Sequence, residues 1–183
     1  MYADPSLSYN PTRNSLGLIT FLWPKLSVLT RLLMSSTDMA LFEGKYQHEK
    51  SKNYEEFLKA IGVPLVPRKV VVNSSPVVEV TRCKGETSGD KEETCEEQWS
   101  IRMSTLLRDI EYRFVPGQPM QTESMGGQAK NVFTIENNRI IQRQDAPTYS
   151  TEVVREFTDD GLTMTMKHVE SGIECHRYFK RIK

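Results

Sequence analysis

From Pro76 to its end, the chain is broken by turn signals at short, regular intervals. The stretches "GETSGDK", "PGQP", "MGGQ", "ENN", "DDG" and "ESG" separate runs in which apolar and polar residues alternate. The runs fall near 77–84, 95–103, 107–115, 120–124, 130–136, 139–145, 149–158, 162–168 and 173–181, with nothing helical between them. Short strands joined by tight turns pair with their sequence neighbours, which predicts an antiparallel up-and-down sheet. A meander of this length protects its edges by curling, so the sheet is expected to close, or nearly close, into a barrel.

The segment ahead of Pro76 adds a first strand, "FEGKYQHEK" (42–50), and a helix, "NYEEFLKAIG" (53–62). Asn53 suits the N-cap and Glu55 and Glu56 the first turn. Tyr54, Phe57, Leu58 and Ile61 recur at helical spacing, and Gly62 stops the run. A second helix is expected to start at Pro64. Pro67 still falls among the first four N–H groups, which lack partners inside a helix. "VVV" at 70–72 argues that it is short.

Residues 1–40 have a different composition and form an N-terminal extension to a domain at 41–183. "MYADPSLSYNPTRNS" is polar and turn-rich, as disordered segments are. "LGLITFLWPKLSVLTRLLM" is apolar, but a bilayer span would bury Lys25 and Arg31 at roughly 2.5–3.5 kcal/mol for a mid-bilayer charge. The uninterrupted run Leu16–Trp23 is too short to cross. It has the length of a signal-peptide core, although no small-x-small site follows and Asp4 precedes it. A disordered extension, a signal or anchor, and a docked amphipathic segment all stay open. Met34 and Met39 are alternative starts.

Lys and Arg total 24 against 24 Asp and Glu, a balance that speaks against a nucleic-acid surface. Three cysteines make no disulfide framework, and His48, His168 and His176 are scattered without a metal-ligand spacing. No metal and no cofactor is expected. No nucleophile triad, acid/base carboxylate pair or phosphate loop is present, and Gly126-Gly127 belongs to a turn, so an enzyme is not expected.

Two strands carry an anomaly. In "YSTEVVREFT" (149–158), Tyr149, Thr151, Val153, Arg155 and Phe157 share the more apolar face. In "GIECHRYFKRIK" (172–183), Ile173, Cys175, Arg177 and Phe179 do the same. Each strand therefore aims one guanidinium at the presumed interior, where an unpaired charge costs several kcal/mol. Internal ion pairs, or arginines facing water at a barrel end, would account for this. Inward carboxylates are scarce, however, because Glu152, Glu156 and Glu174 fall on the opposite parity. An external anion is the alternative, since a planar guanidinium matches a carboxylate with two parallel hydrogen bonds. Such a barrel would take a long apolar molecule with an acidic head.

Four segments, in order, carry a family resemblance. "FEGKYQHEKSKNYEEFLKAIGVPLVPRKV" resembles the opening strand and helix–turn–helix lid of the intracellular lipid-binding proteins, the fatty acid-binding branch of the calycin superfamily. "STLLRDIEYRF" resembles their S-T-F-K-x-x-x-x-x-F segment, "VVREF" their V-R-E-hydrophobic strand, and "CHRYFKRI" their closing C-T-R-x-Y-x-K strand. The resemblance runs from about Phe42 to Lys183.

It implies an all-β fold, a ten-stranded clam-like barrel with a two-helix portal lid. It also implies a carboxylate held by two arginines and a tyrosine. Arg155 and Arg177 match the arginines, and Phe179 stands at the tyrosine position. Family lining positions map to Tyr54, Phe57, Leu58, Pro76, Ser104 and Leu106. Lys59, Arg68 and Lys69 match lid residues that serve membrane collision or nuclear import. The implied function is a monomeric cytoplasmic carrier of long-chain fatty acids, with transient membrane contact through the lid. A retinoid binder on the same fold, or a secreted lipocalin-like carrier, is the alternative. The latter would use residues 1–33 as a signal and a Cys83–Cys95 disulfide, but its G-x-W opening is replaced by Gly44-Lys45-Tyr46.

Overall fold

Strand β1 (Gly44–Lys52) leads into two short helices, α1 (Tyr54–Ala60) and α2 (Leu65–Val72), and nine further strands follow. These are β2 (Val77–Cys83), β3 (Gln98–Ser104), β4 (Asp109–Phe114), β5 (Pro119–Ser124), β6 (Gly127–Glu136), β7 (Arg139–Asp145), β8 (Ser150–Phe157), β9 (Gly161–His168) and β10 (Glu174–Ile182). The computed structural model describes residues 41–83, 97–105, 109–124 and 127–183. The extension at 1–40 with its alternative starts, Leu106, and the Cys83–Cys95 pairing lie outside the described residues.

All ten strands form one antiparallel sheet in the order β4-β3-β2-β1-β10-β9-β8-β7-β6-β5. Consecutive strands pair at every step except β4 to β5, and β1 joins β10 to curl the meander round. β4 and β5, its two ends, are not paired with each other. The result is the nearly closed barrel that the alternation predicts. Its inward positions are unmistakable in β8, where Thr151, Val153, Arg155 and Phe157 are buried and their neighbours are not.

In α1 the predicted face is buried through Phe57 and Leu58, and Glu55 and Glu56 occupy the first turn. Asn53 acts differently from the expected cap. It takes a left-handed conformation (φ 57°) and makes no side-chain cap bond. Its Nδ2 instead donates to the Glu174 carbonyl at 2.7 Å, tying the lid to β10. α2 runs on through all three valines. The penalty for a β-branched residue in a helix is only a few tenths of a kcal/mol. The end is also well capped, with Asn73 Nδ2 donating to the Lys69 carbonyl and Ser74 Oγ to that of Val71.

One end of the interior is filled by aromatic rings. Phe42 meets Trp99 and Phe157 edge-on, with centroids 5.7 and 5.0 Å apart, and Phe114 stacks on Phe133 at 4.1 Å. Arg181 fastens this end by donating to Tyr46 Oη and to the carbonyls of Leu41 and Glu43.

Gly161 opens β9 directly against β10. A Cβ there would lie 2.2 Å from the Phe179 carbonyl oxygen. Because the obstacle is backbone, Gly161→Ala is expected to lower stability by about 1–3 kcal/mol, measured by denaturant unfolding.

Candidate functional site

β9 lies between β8 and β10, and Met164 is the register partner of both Arg155 and Arg177. The two arginines therefore flank Met164 on the inner face, with Cα atoms about 10 Å apart, two strand spacings. Arg155 is 3% exposed and Arg177 2%, so neither faces bulk water.

A chain of amides holds Arg155. Its Nη2 donates to Gln142 Oε1 at 2.8 Å, and Gln142 Nε2 donates to Asn131 Oδ1 at 2.8 Å. Asn131 Nδ2 in turn donates to Thr122 Oγ1 at 2.7 Å, so the chain crosses from β8 to β5. The Arg155 Nε and Nη1 donors are buried without a partner among the described residues. Burial in these surroundings pushes the Arg155 pKa down to about 10.

Arg177 is held differently. Its Nε donates to Ser51 Oγ at 3.3 Å, and its guanidinium lies 4.3 Å from the centre of the Tyr54 ring, which α1 supplies, and 5.4 Å from that of Phe179. Its Nη2 is buried and unpartnered among the described residues. Burial lowers its pKa and raises that of the Tyr54 phenol, which Arg177 partly pulls back.

The carboxylates that parity assigns to the outside are found there. Glu152 pairs with Arg143 at 3.1 Å, Glu156 with Arg139 at 3.2 Å and Glu174 with His176 at 3.2 Å. No ion pair to Arg155 or Arg177 occurs among the described residues. Burial of both arginines speaks against a water-facing barrel end, and no internal carboxylate pairs with either of them among the described residues.

Both guanidiniums reach a cavity of about 170 Å³. Tyr54, Phe57 and Leu58 line it from the lid, joined by Ile61, Ile101, Met103, Met164 and Met166. Gln142 and Gln144 of β7 and Tyr112 of β4 add polar groups to the lining. Three of the family-mapped positions lie off this wall. Pro76 is buried and its carbonyl accepts the His48 N–H at 3.0 Å. Ser104 bonds the Asp109 carboxyl across the β3–β4 ladder and helps hold it below the usual carboxylate range, after the stronger Arg102 bond. Phe179 is 4% exposed, with its ring edge-on to His48 at 5.4 Å. It borders a separate, open groove of about 640 Å³ alongside Leu162, Thr163 and Lys180. That groove contains neither arginine.

Ser51 and Gln142 were not singled out by the sequence pattern. Gln142 shares a parity with the buried Ile140 of β7, so alternation alone could have found it. Ser51 could not be found that way. β1 carries an irregularity between His48 and Lys50, so His48 pairs with Phe179 but Ser51 with Arg177. The extra residue switches the strand's parity and turns Ser51 toward the guanidinium.

No family model matches the chain. A fatty acid-binding protein of Tyrophagus putrescentiae is 30% identical over 145 residues, covering 78% of this chain and 99% of the relative. Cellular retinoic acid-binding protein 1 of Gallus gallus is 33% identical over 153 residues, 78% of this chain and 99% of the relative. Among solved structures, the fatty acid-binding protein of Drosophila melanogaster brain tissue superposes with a TM-score of 0.64 at 30% identity, covering 76% of this chain and 98% of that one. With the ten-stranded barrel, its two-helix lid and near full-length similarity to these relatives, the chain belongs to the intracellular lipid-binding protein family.

Proposed function

We propose that the protein is a non-enzymatic, monomeric, cytoplasmic carrier that binds a long-chain fatty acid inside its barrel and holds the carboxylate at Arg177 and Arg155. The observation that carries this reading is the pair of buried guanidiniums. Each has donors left unpartnered and no carboxylate beside it among the described residues, and both border an apolar cavity. Such a charge lacks its compensation until an anion arrives. The lid loosens, the acyl chain enters, and ordered water leaves the apolar wall. Met103, Met164 and Met166 re-pack around the chain, as flexible thioethers can.

The lid also suits delivery. α2 buries none of its residues, and Leu65, Val66 and Val70 are 58%, 76% and 41% exposed. Lys69 and Arg68 on the same helix sit 2.7 and 3.8 Å from Glu55. An apolar patch rimmed by basic residues favours brief contact with an anionic bilayer.

A retinoid is the second ligand class, supported by the similarity to cellular retinoic acid-binding protein 1. Both ligands are apolar carboxylates. Displacement of a bound fluorescent fatty acid by oleate and by retinoic acid separates them. Oleate is expected to displace at the lower concentration. Displacement by retinoic acid at a much lower concentration than oleate would assign the carrier to retinoids.

A further inference from the structure

The polar surroundings of Arg177 contain a pair of side chains that the carrier reading leaves without a task. His48 Nε2 lies 2.8 Å from Ser51 Oγ, and the same oxygen accepts the Arg177 Nε–H at 3.3 Å. Ser51 is the one hydroxyl hydrogen-bonded to Arg177 among the described residues, and the bulge after His48 is what brings it there. Phe179, opposite His48, offers only a ring. Burial first, and then the charge of Arg177, hold His48 below its ordinary pKa, so at neutral pH the ring is uncharged.

A serine hydroxyl has one proton and two acceptor lone pairs. Arg177 Nε–H takes one lone pair. If the imidazole carries its proton on Nε2, it takes the other, and the serine proton is left with no side-chain partner among the described residues. Ser51 is exposed, so that proton can turn to water or to an anion at Arg177, whose Nη2 is buried without a partner among the described residues.

We propose that His48 and Ser51 form a second recognition element for the acid head: Ser51 Oγ–H donates to the anion held at Arg177, and His48, by donating Nε2–H to Ser51, keeps that proton available. Arg177 supplies the charge and Ser51 a directed neutral donor, while His48 is a positioning residue that does not touch the ligand. The pair selects for a carboxylate over an alcohol of the same chain. This element rests on the carrier reading.

The test is calorimetric titration of the full chain with oleate and with oleyl alcohol, on the unsubstituted protein and on Ser51→Ala, His48→Leu and His48→Gln. Ser51→Ala and His48→Leu are expected to weaken oleate about threefold to tenfold, the range of one neutral hydrogen bond, and to leave oleyl alcohol unchanged. Glutamine places an amide N–H near the position of Nε2, so His48→Gln is expected to restore oleate affinity to within about twofold. The element is overturned if both loss variants keep full oleate affinity, or if they weaken oleyl alcohol as much as oleate. If the unsubstituted chain binds no oleate, the carrier reading itself fails.

Discussion

Arg177→Met is expected to weaken oleate binding by about 30- to 1,000-fold. Truncating one partner of a buried, hydrogen-bonded charge pair costs about 2–4 kcal/mol, and each 1.4 kcal/mol is tenfold in affinity. Methionine keeps most of the side-chain volume, so Tyr54 retains an apolar neighbour and the lid is not undermined. The ligand-free variant should be at least as stable as the parent, because a buried charge with an unpartnered donor has been removed. Titration calorimetry and thermal unfolding of the same preparation read both effects. Lost affinity together with lost stability would point to a structural role for Arg177 instead.

Arg155→Gln carries the second large effect, and its sign is opposite on the two readouts. Burial holds the Arg155 pKa near 10, well below the ordinary guanidinium range, so the ligand-free fold disfavours the charged form. For a cation whose folded pKa is depressed, the cost is fully present below the folded value. It is relieved only as pH rises above about 10 toward the ordinary guanidinium range. At neutral pH the whole cost applies, on the order of 3 kcal/mol for a shift of this size. Glutamine removes the charge but can still bond Gln142. Lost packing takes back part of the gain. The ligand-free protein is therefore expected to melt about 3–8 °C higher, while oleate binds about tenfold more weakly. An unchanged or lower melting temperature would show that the Gln142–Asn131–Thr122 chain compensates the charge in full.

The alternation of residues made most of this architecture readable. Strand positions, turns and the inward parity of Arg155 and Arg177 all follow from a period of two. So does the outward parity of Glu152, Glu156 and Glu174, each of which pairs outside the barrel. Parity, however, says which side a residue faces and not how high along the barrel it sits. Phe179 faces inward, yet its ring abuts His48 and it does not line the cavity. Ser104 spends its hydroxyl on Asp109. Parity also assumes an unbroken strand. The bulge in β1 breaks it at Glu49, which is why Ser51 reaches Arg177. The amide chain from Arg155 to Thr122 depends on contacts across four strands, and no local pattern encodes it.

The proposed role of the two buried guanidiniums is to hold one apolar acid. The most direct measurement is calorimetric titration of oleate into the parent protein and into the Arg155→Gln/Arg177→Met double variant. One oleate per chain is the expected stoichiometry for the parent, with binding lost beyond detection in the folded double variant. Equal affinity in the two proteins, or no binding by the parent, would show that the two guanidiniums do not hold an apolar acid.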